Sequence, residues 1–174
     1  ARQLQWAIQQ GFADIRLQSD KLLTDEEAKA EKARVSKLIF SALERGQHVV
    51  LYTAMGPDDP AIGRTNRRMQ ELGMQDVPSS SLLAGAQGSL LKEVLEKHNR
   101  MRVVVAGGDT SGYVSRALDI YALETLMPIA PGVPLCTAHS RQEAFDGLQI
   151  CLKGGQNGKE DFFGSILNGY DISA

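Results

Sequence analysis

The segment Met101–Ile120, MRVVVAGGDTSGYVSRALDI, decides the fold that we predict for this chain. It places a β-branched run, Met101–Ala106, directly before the glycine loop Gly107–Gly112, and a run that can wind as a helix directly after it. Glycine lets the backbone turn sharply and approach a ligand closely. The start of a helix leaves amide N–H groups unpaired and carries a partial positive charge, so it attracts anions. We therefore predict an anion site at this loop.

A purely structural interpretation of the same loop stays open. The loop would then be a tight turn between strand and helix, with Thr110 or Ser111 as the helix N-cap. Asp109 could hold Mg²⁺ through water, or could merely favour the N-terminus of the helix. The loop lacks the Lys-Ser/Thr pair of a P-loop, and the chain has no GxGxxG with an acidic residue at the right distance.

A second glycine loop occurs near the end of the chain, in LKGGQNG (Leu152–Gly158). Here too an alternating strand pattern runs into glycines, Gly154 and Gly155, and a helix follows. Lys153, at the end of the strand, could meet a phosphate as a point charge. The alternative is a simple turn, because Asn157-Gly158 is a strong turn dipeptide. Ligands of α/β sheets gather at the carboxyl edge, so two such loops together favour binding.

The remaining pattern predicts a three-layer α/β/α domain with a mixed, mainly parallel sheet. Helices and strands alternate through the first two thirds of the chain, and the predicted elements are a first helix ending at Gly11, a strand in Phe12–Gln18, a helix over Thr24–Arg45, a strand over His48–Ala54, a helix over Ser80–His98 and the strand Met101–Ala106. Short connections then predict three antiparallel strands and a last helix, at about Ala122–Pro128, Pro134–Ala138, Leu148–Lys153 and Asp161–Asn168.

Helix caps and one irregular region complete the prediction. Thr24 with Glu27 forms a capping-box signal, and Ser79 or Ser80 could cap the following helix. Met55–Pro78 is predicted to be a loop, which could contain a short helix in RTNRRMQEL. Its arginine cluster (Arg64, Arg67 and Arg68) could reach a phosphate or carboxylate, or could be a solvated helix face.

Composition narrows the class of protein. The chain has 174 residues, 43% hydrophobic residues and a formal net charge of −2, which argue for one globular domain and against an electrostatic nucleic-acid binder. No apolar run approaches the roughly 20 residues that span a bilayer. Cys136 and Cys151 lie in strand patterns and are expected to be buried free thiols, which suits a cytoplasmic enzyme domain. The three histidines lack metal-ligand spacing, so we predict no metal-ligating side chains.

Three segments of the chain together resemble the C-terminal nucleotide-binding domain of the four-carbon acid sugar kinase family. They are VVVAGGDTSGYVSRALDI, APGVPLC and LQICLKGGQNGKEDFF. That family has a Gly-Gly-Glu/Asp-Thr-Ser-Gly loop after a strand, then a Pro-Gly-x-Pro turn, then Leu-Lys-x-Gly-x-x-Gly before a helix that contains phenylalanine. These motifs cover about residues 103–163, and the opening ARQLQWAIQQGFADIRLQSDKLL also fits. The Met55–Pro78 region has no counterpart that we can name.

The resemblance implies an ATP-dependent kinase, with Mg²⁺, that acts on threonate, erythronate or 3-oxo-tetronate. The residues that match the family's ATP-contacting loops are Gly107, Gly108, Asp109 and Thr110 in the first, and Gly154 with its neighbours Lys153 and Gly155 in the second. Residues 1–174 would then form the nucleotide-binding domain. The N-terminal substrate-binding domain, a Gly-Ser turn and a preceding strand would lie ahead of Ala1, and this chain alone would be inactive.

Three matters stay open from the sequence. The catalytic base is unknown, and we expect it at the interface with the N-terminal domain. A non-catalytic nucleotide-sensing module, or a kinase for another small acid such as glycerate, remains an alternative. The oligomeric state, a homo-oligomer included, is undetermined.

Overall fold

The computed structural model describes residues 1–98 and 102–168, and its elements alternate as the sequence predicts. The helices are α1 (Arg2–Gln9), α2 (Asp25–Glu44), α3 (Pro60–Glu71), α4 (Ser79–Lys97), α5 (Gly108–Ala117) and α6 (Phe162–Asn168). The strands are β1 (Ala13–Arg16), β2 (Val49–Tyr52), β3 (Arg102–Ala106), β4 (Ile120–Ala130), β5 (Val133–Ser140) and β6 (Gln149–Lys153). Short 3₁₀ helices occupy Ser19–Leu22 and Glu143–Phe145.

These strands pair in two sheets. β1 and β2 form a parallel pair, and the second sheet has the order β3-β6-β5-β4. β3 and β6 are parallel, whereas β5 is antiparallel to both β6 and β4. The α/β class and the antiparallel C-terminal part are thus confirmed. The parallel pairs are β1–β2 and β3–β6, and β6 lies between β3 and β5.

Helices cover both faces of the four-stranded sheet, which gives three layers. Side chains alternate along a strand, so Val103 and Val105 face one side and Val104 the other. The first side packs against α4 and α5 through Leu95, Val114 and Leu118. The second side packs against α6 through Phe162 and Ile166.

The parallel pair β1–β2 has its own core with α2 and α4, made of Ile15, Leu17, Leu22, Val35, Ile39, Leu90 and Val94. Since Leu95 belongs to the core of the other sheet, α4 contacts both sheets. The helix predicted between β2 and β3 is present. The predicted strand–helix–strand unit is not confirmed, because β2 and β3 lie in different sheets among the described residues. Met101, with which that last strand was predicted to begin, lies outside them.

Several local predictions differ from the structure. Ser79 and Ser80 are helical residues of α4, whose N-cap is Pro78 without a side-chain hydrogen bond. Thr24 is the N-cap of α2, but its hydroxyl donates to the Glu27 carboxylate at 3.0 Å and caps no backbone N–H. The two side chains therefore bond to each other, and neither of the side chain–backbone bonds that define a capping box is formed.

The region predicted as a loop with a possible short helix in RTNRRMQEL contains α3, a 12-residue helix that begins at Pro60, four residues before that segment. Asp59 accepts a hydrogen bond from the Ala61 N–H, and proline at the first helical position is pre-set for a helix. Asp59-Pro60 is therefore a helix start signal that the loop prediction does not include. Within residues 1–98 and 102–168, no helix has both the length and the apolar character needed to cross a membrane.

Candidate nucleotide site

The first glycine loop turns directly from β3 into α5. Gly107 is the N-cap of α5 and has φ +115°, a backbone conformation that residues with a side chain rarely adopt. The helix begins at Gly108, so the amides of Gly108, Asp109 and Thr110 belong to its unpaired first turn. Gly107 is therefore the N-cap, and the prediction that Thr110 or Ser111 caps the helix is wrong.

Thr110 has a different partner. Its hydroxyl donates to Oε1 of Gln87 on α4 at 3.2 Å. This contact holds the first turn of α5 against α4 and leaves the side of the loop that faces away from α4 uncovered. Gly108 and Asp109 are both exposed.

The second glycine loop leaves β6 beside the first. Ala106 and Lys153 are register partners at the ends of β3 and β6, and the Gly107 N–H donates to the Lys153 carbonyl at 3.0 Å. The two strands are parallel, so both loops stand at the same carboxyl edge. The sequence expectation that the two loops meet is confirmed by this pairing.

Lys153 itself lies beneath its loop. The residue is 3% exposed, and its Nζ donates to Gln3 Oε1 at 3.0 Å and to the Gly155 carbonyl at 3.4 Å. The ammonium also lies 5.1 Å from the centre of the Phe162 ring. Burial lowers the pKa of Lys153, because desolvation disfavours the charged form. The side chain supports the loop from below instead of projecting into solvent.

Gln3 on α1 is a residue that the sequence analysis missed. Its Nε2 donates to the carbonyls of Asn157, Gly158 and Lys159 at 3.0, 3.0 and 2.9 Å. Together with the Lys153 contact, these bonds tie the second loop to α1. A glutamine on an amphipathic helix is expected to face solvent, so the sequence does not predict that Gln3 binds the second loop.

A large cavity opens at the carboxyl edge between the loops. Its mouth is lined by residues of the first loop, by Gly155, Gln156 and Gly158 of the second, and by Thr53 and Pro57 after β2. Gly107, Gly108, Asp109, Thr110 and Gly155 of the predicted site thus meet at one opening. Lys153 and Gly154 adjoin it without lining it.

The arginine cluster lies apart from this opening. Arg64 and Arg67 are exposed on α3, and Arg68 pairs with Glu27 at 3.3 Å and with Glu71 at 3.6 Å. These contacts favour the solvated-face interpretation. In the part of the chain that the structure describes, no group of three or more His, Cys, Asp or Glu side chains is arranged to hold a metal ion.

Comparisons with known proteins agree with this arrangement. A family model described as "Nucleotide-binding C-terminal domain" matches residues 1–163. The chain belongs to this family. Together with the kinase relatives described next, this match confirms the resemblance to the four-carbon acid sugar kinases that the glycine motifs indicated.

Named relatives of this nucleotide-binding domain are kinases. A 3-oxo-isoapionate kinase of Paraburkholderia graminis is 38% identical over 169 residues, which are 97% of this chain and 36% of that protein. A 3-oxo-tetronate kinase of Pseudomonas savastanoi is 34% identical over 138 residues, 79% of this chain and 29% of the relative. The chain therefore spans about a third of the length of these relatives.

The fold recurs in solved structures. A Haemophilus influenzae protein superposes with a TM-score of 0.74 at 20% identity, over 98% of this chain and 37% of the other. At that identity the likeness establishes the fold alone.

Proposed function

We propose that this chain is the ATP-binding domain of a kinase that phosphorylates a four-carbon sugar acid of the threonate, erythronate or 3-oxo-tetronate type. The observation that carries the proposal is the placement of two glycine loops side by side at one carboxyl edge, both lining the mouth of one cavity. Membership of a nucleotide-binding family and the kinase names of its relatives support it.

The first loop is proposed to hold the phosphates of ATP or ADP. The amides of Gly108, Asp109 and Thr110 form a helix N-terminus, and the lack of a side chain on Gly107 and Gly108 admits close approach. Phosphoryl transfer asks a protein chiefly to position the phosphates and to offset their charge. Fixed amides at the sheet edge supply both.

The second loop is proposed to close the other side of the nucleotide. Gly154 and Gly155 are exposed and provide backbone without side-chain bulk. Lys153 remains a predicted nucleotide contact, although its ammonium would have to leave Gln3 to reach a phosphate. In the geometry described here it positions the loop.

Asp109 is the residue that we propose to hold, through water, the Mg²⁺ that accompanies ATP. It is an exposed carboxylate in the first turn of α5 and lines the cavity mouth. This donor set fits magnesium, which is usually bound through one or two carboxylates together with substrate phosphates and water. When bound, the ion would neutralise charge on the transferred phosphoryl group.

The binding site for the sugar acid and the catalytic base are proposed to lie on an N-terminal domain of the same protein. Relatives are about three times as long as this chain, which supports a further domain. A cytoplasmic location and a homo-oligomeric state stay predictions, as do the absence of nucleic-acid and membrane partners.

A single substitution tests the nucleotide site. Gly108→Val should abolish ATP binding measured by calorimetry, because the branched side chain occupies the space in front of the amides. The fold should persist, since a Cβ at Gly108 meets no atom within 4 Å. Gly63→Val is the matched control: it lies on α3 away from the cavity and is equally unobstructed. An unchanged ATP affinity in Gly108→Val would refute the assignment.

The activity itself is tested on the longer protein. A coupled assay of ADP release with threonate, erythronate and 3-oxo-tetronate should show turnover with at least one acid. Turnover with glycerate but with none of these acids would show that the kinase acts on another small acid. Nucleotide binding without turnover of any acid would support the nucleotide-sensing module.

A further inference from the structure

The cavity whose mouth bears the glycine loops continues downward between β2 and β3. Its volume is about 1610 Å³, and every residue of both strands lines it. This volume exceeds the roughly 300–1000 Å³ of small-molecule pockets. A nucleotide at the mouth therefore leaves the deeper part unexplained.

Backbone groups of both strands point into this deeper part. The carbonyls of His48 and Tyr52 accept hydrogen bonds from the Ala13 and Leu17 N–H groups, on the side of β1. Backbone groups of successive residues in a strand alternate between its two sides, so those of Leu51 face the cavity instead.

The same alternation applies to β3. The Gly107 N–H faces β6, since it donates to the Lys153 carbonyl. The backbone groups of Val105 and Val103, two and four residues before Gly107, also face β6. Those of Val104, between them, therefore face the cavity. Among the described residues, β2 and β3 each have one strand neighbour, so two sheet edges confront each other across the cavity.

Helices enclose the space above and below. Ile39 of α2 and Val94 of α4 line it from one face of the sheets, and Phe163 and Ile166 of α6 line it from the other. An interior strand of a parallel sheet has this environment: apolar layers on both faces and a hydrogen-bonding edge on each side. Edge strands left in such a position carry unpaired backbone groups, which proteins cover.

We propose that the deep cavity is a strand slot, filled by an extended and largely apolar segment of the polypeptide that joins Ala1 in the longer protein. The segment would run parallel to β2 and β3 and unite the two sheets into one. About five residues are enough, because a strand rises about 3.3 Å per residue and β2 and β3 have four and five residues.

The position of Ala1 sets the direction of the segment. Ala1 lines the cavity, and its Cβ would lie 3.6 Å from a Cβ on Gly56, four residues beyond the carboxyl end of β2. A segment that ends at Ala1 therefore ends at the carboxyl edge, as a parallel strand must. From there α1 returns the chain to the start of β1, which completes a strand–helix–strand unit.

Hydrogen exchange in the longer protein tests the slot. The Leu51 and Val104 amides should exchange as slowly as the Val105 amide, which faces β6, and at least about a hundredfold more slowly than amides of an open sheet edge. Fast exchange at Leu51 and Val104, with Val105 still protected, would overturn the slot.

The identity of the occupant needs a second readout. Nuclear Overhauser contacts to the Val104 amide should come from the residues directly before Ala1. Contacts from another segment or from a second copy of the chain would overturn this assignment. The protection should persist in Gly108→Val without nucleotide, so failure of the slot and failure of the ATP site are distinguishable.

Discussion

At the scale of single residues, the second glycine loop depends on contacts that have no sequence signature. Gln3 binds three loop carbonyls and the Lys153 ammonium, from 150 to 156 positions away in the sequence. The glycines were visible in the sequence because their chemistry is local. The clamp was not, because it exists only after α1 and the loop have packed together.

Gly158 is the residue of this loop that we expect to tolerate substitution least. Its φ is +88°, and a Cβ there would overlap the Phe162 ring. Gly158→Ala should therefore lower the free energy of unfolding by about 1–3 kcal/mol, measured by urea denaturation.

Gly155 is the matched control in the same loop. Its φ lies outside the left-handed region, and a Cβ there meets nothing within 4 Å. Gly155→Ala should change the free energy of unfolding by less than about 0.5 kcal/mol. Equal losses in the two variants would contradict the steric account.

At the scale of elements, α3 depends on one carboxylate. Asp59 accepts bonds from the Met55 and Ala61 N–H groups and a bidentate pair from Arg16 at 3.0 and 2.8 Å. The Arg16 guanidinium, aided by those two amides, holds the pKa of Asp59 well below its ordinary value of 3.8. This one side chain therefore joins the end of β1 to the start of α3.

The pH dependence of the stability of Asp59→Asn measures how much the Asp59 charge stabilises the fold. A carboxyl whose pKa is lower in the folded state stabilises the fold at pH values above its unfolded pKa, and the benefit disappears as the pH falls through the folded pKa. The variant should unfold at lower urea concentration than the wild type at pH 7, and the gap should shrink below about pH 4. Asp58→Asn, at an exposed neighbour, should match the wild type throughout. A gap that is constant with pH would exclude the charge as its cause.

The elements also show what a sequence can predict. The positions of β1, α2 and the strand before the first glycine loop followed from periodicity, which is local information. Caps were less predictable: Thr110, Ser111, Ser79 and Ser80 have the right side chains, but Gly107 and Pro78 hold the cap positions. A serine or threonine can cap only from the N-cap position, and Thr110 lies inside α5, where its hydroxyl bonds to Gln87 instead.

At the scale of the whole molecule, strand pairing decides where the site forms. The sequence predicted β6 as part of an antiparallel group, and it is antiparallel to β5. It also inserts parallel to β3, and this pairing is what brings Lys153 and Gly107 together. Such long-range pairings depend on which apolar faces meet, so no local pattern specifies them.

The rate at which the two cysteines are labelled reports whether nucleotide binding stabilises the whole fold. Cys136 and Cys151 are buried free thiols, as predicted, and burial raises the pKa of Cys151 to about 11. Since only the thiolate reacts, labelling at pH 8 should require the sheet to open. A nucleotide that binds only the folded state lowers the open population by the factor 1 + [L]/Kd.

ATP at 100 times its Kd should therefore slow thiol labelling of the longer protein about a hundredfold, as measured by the release of a chromophore from an aromatic disulfide reagent. Gly108→Val, with its binding site blocked, should label at the same rate with and without ATP. If the wild type bound ATP by calorimetry yet labelled at an unchanged rate, the nucleotide would not be stabilising the sheet that carries Cys151. The site would then have to lie away from the ends of β3 and β6.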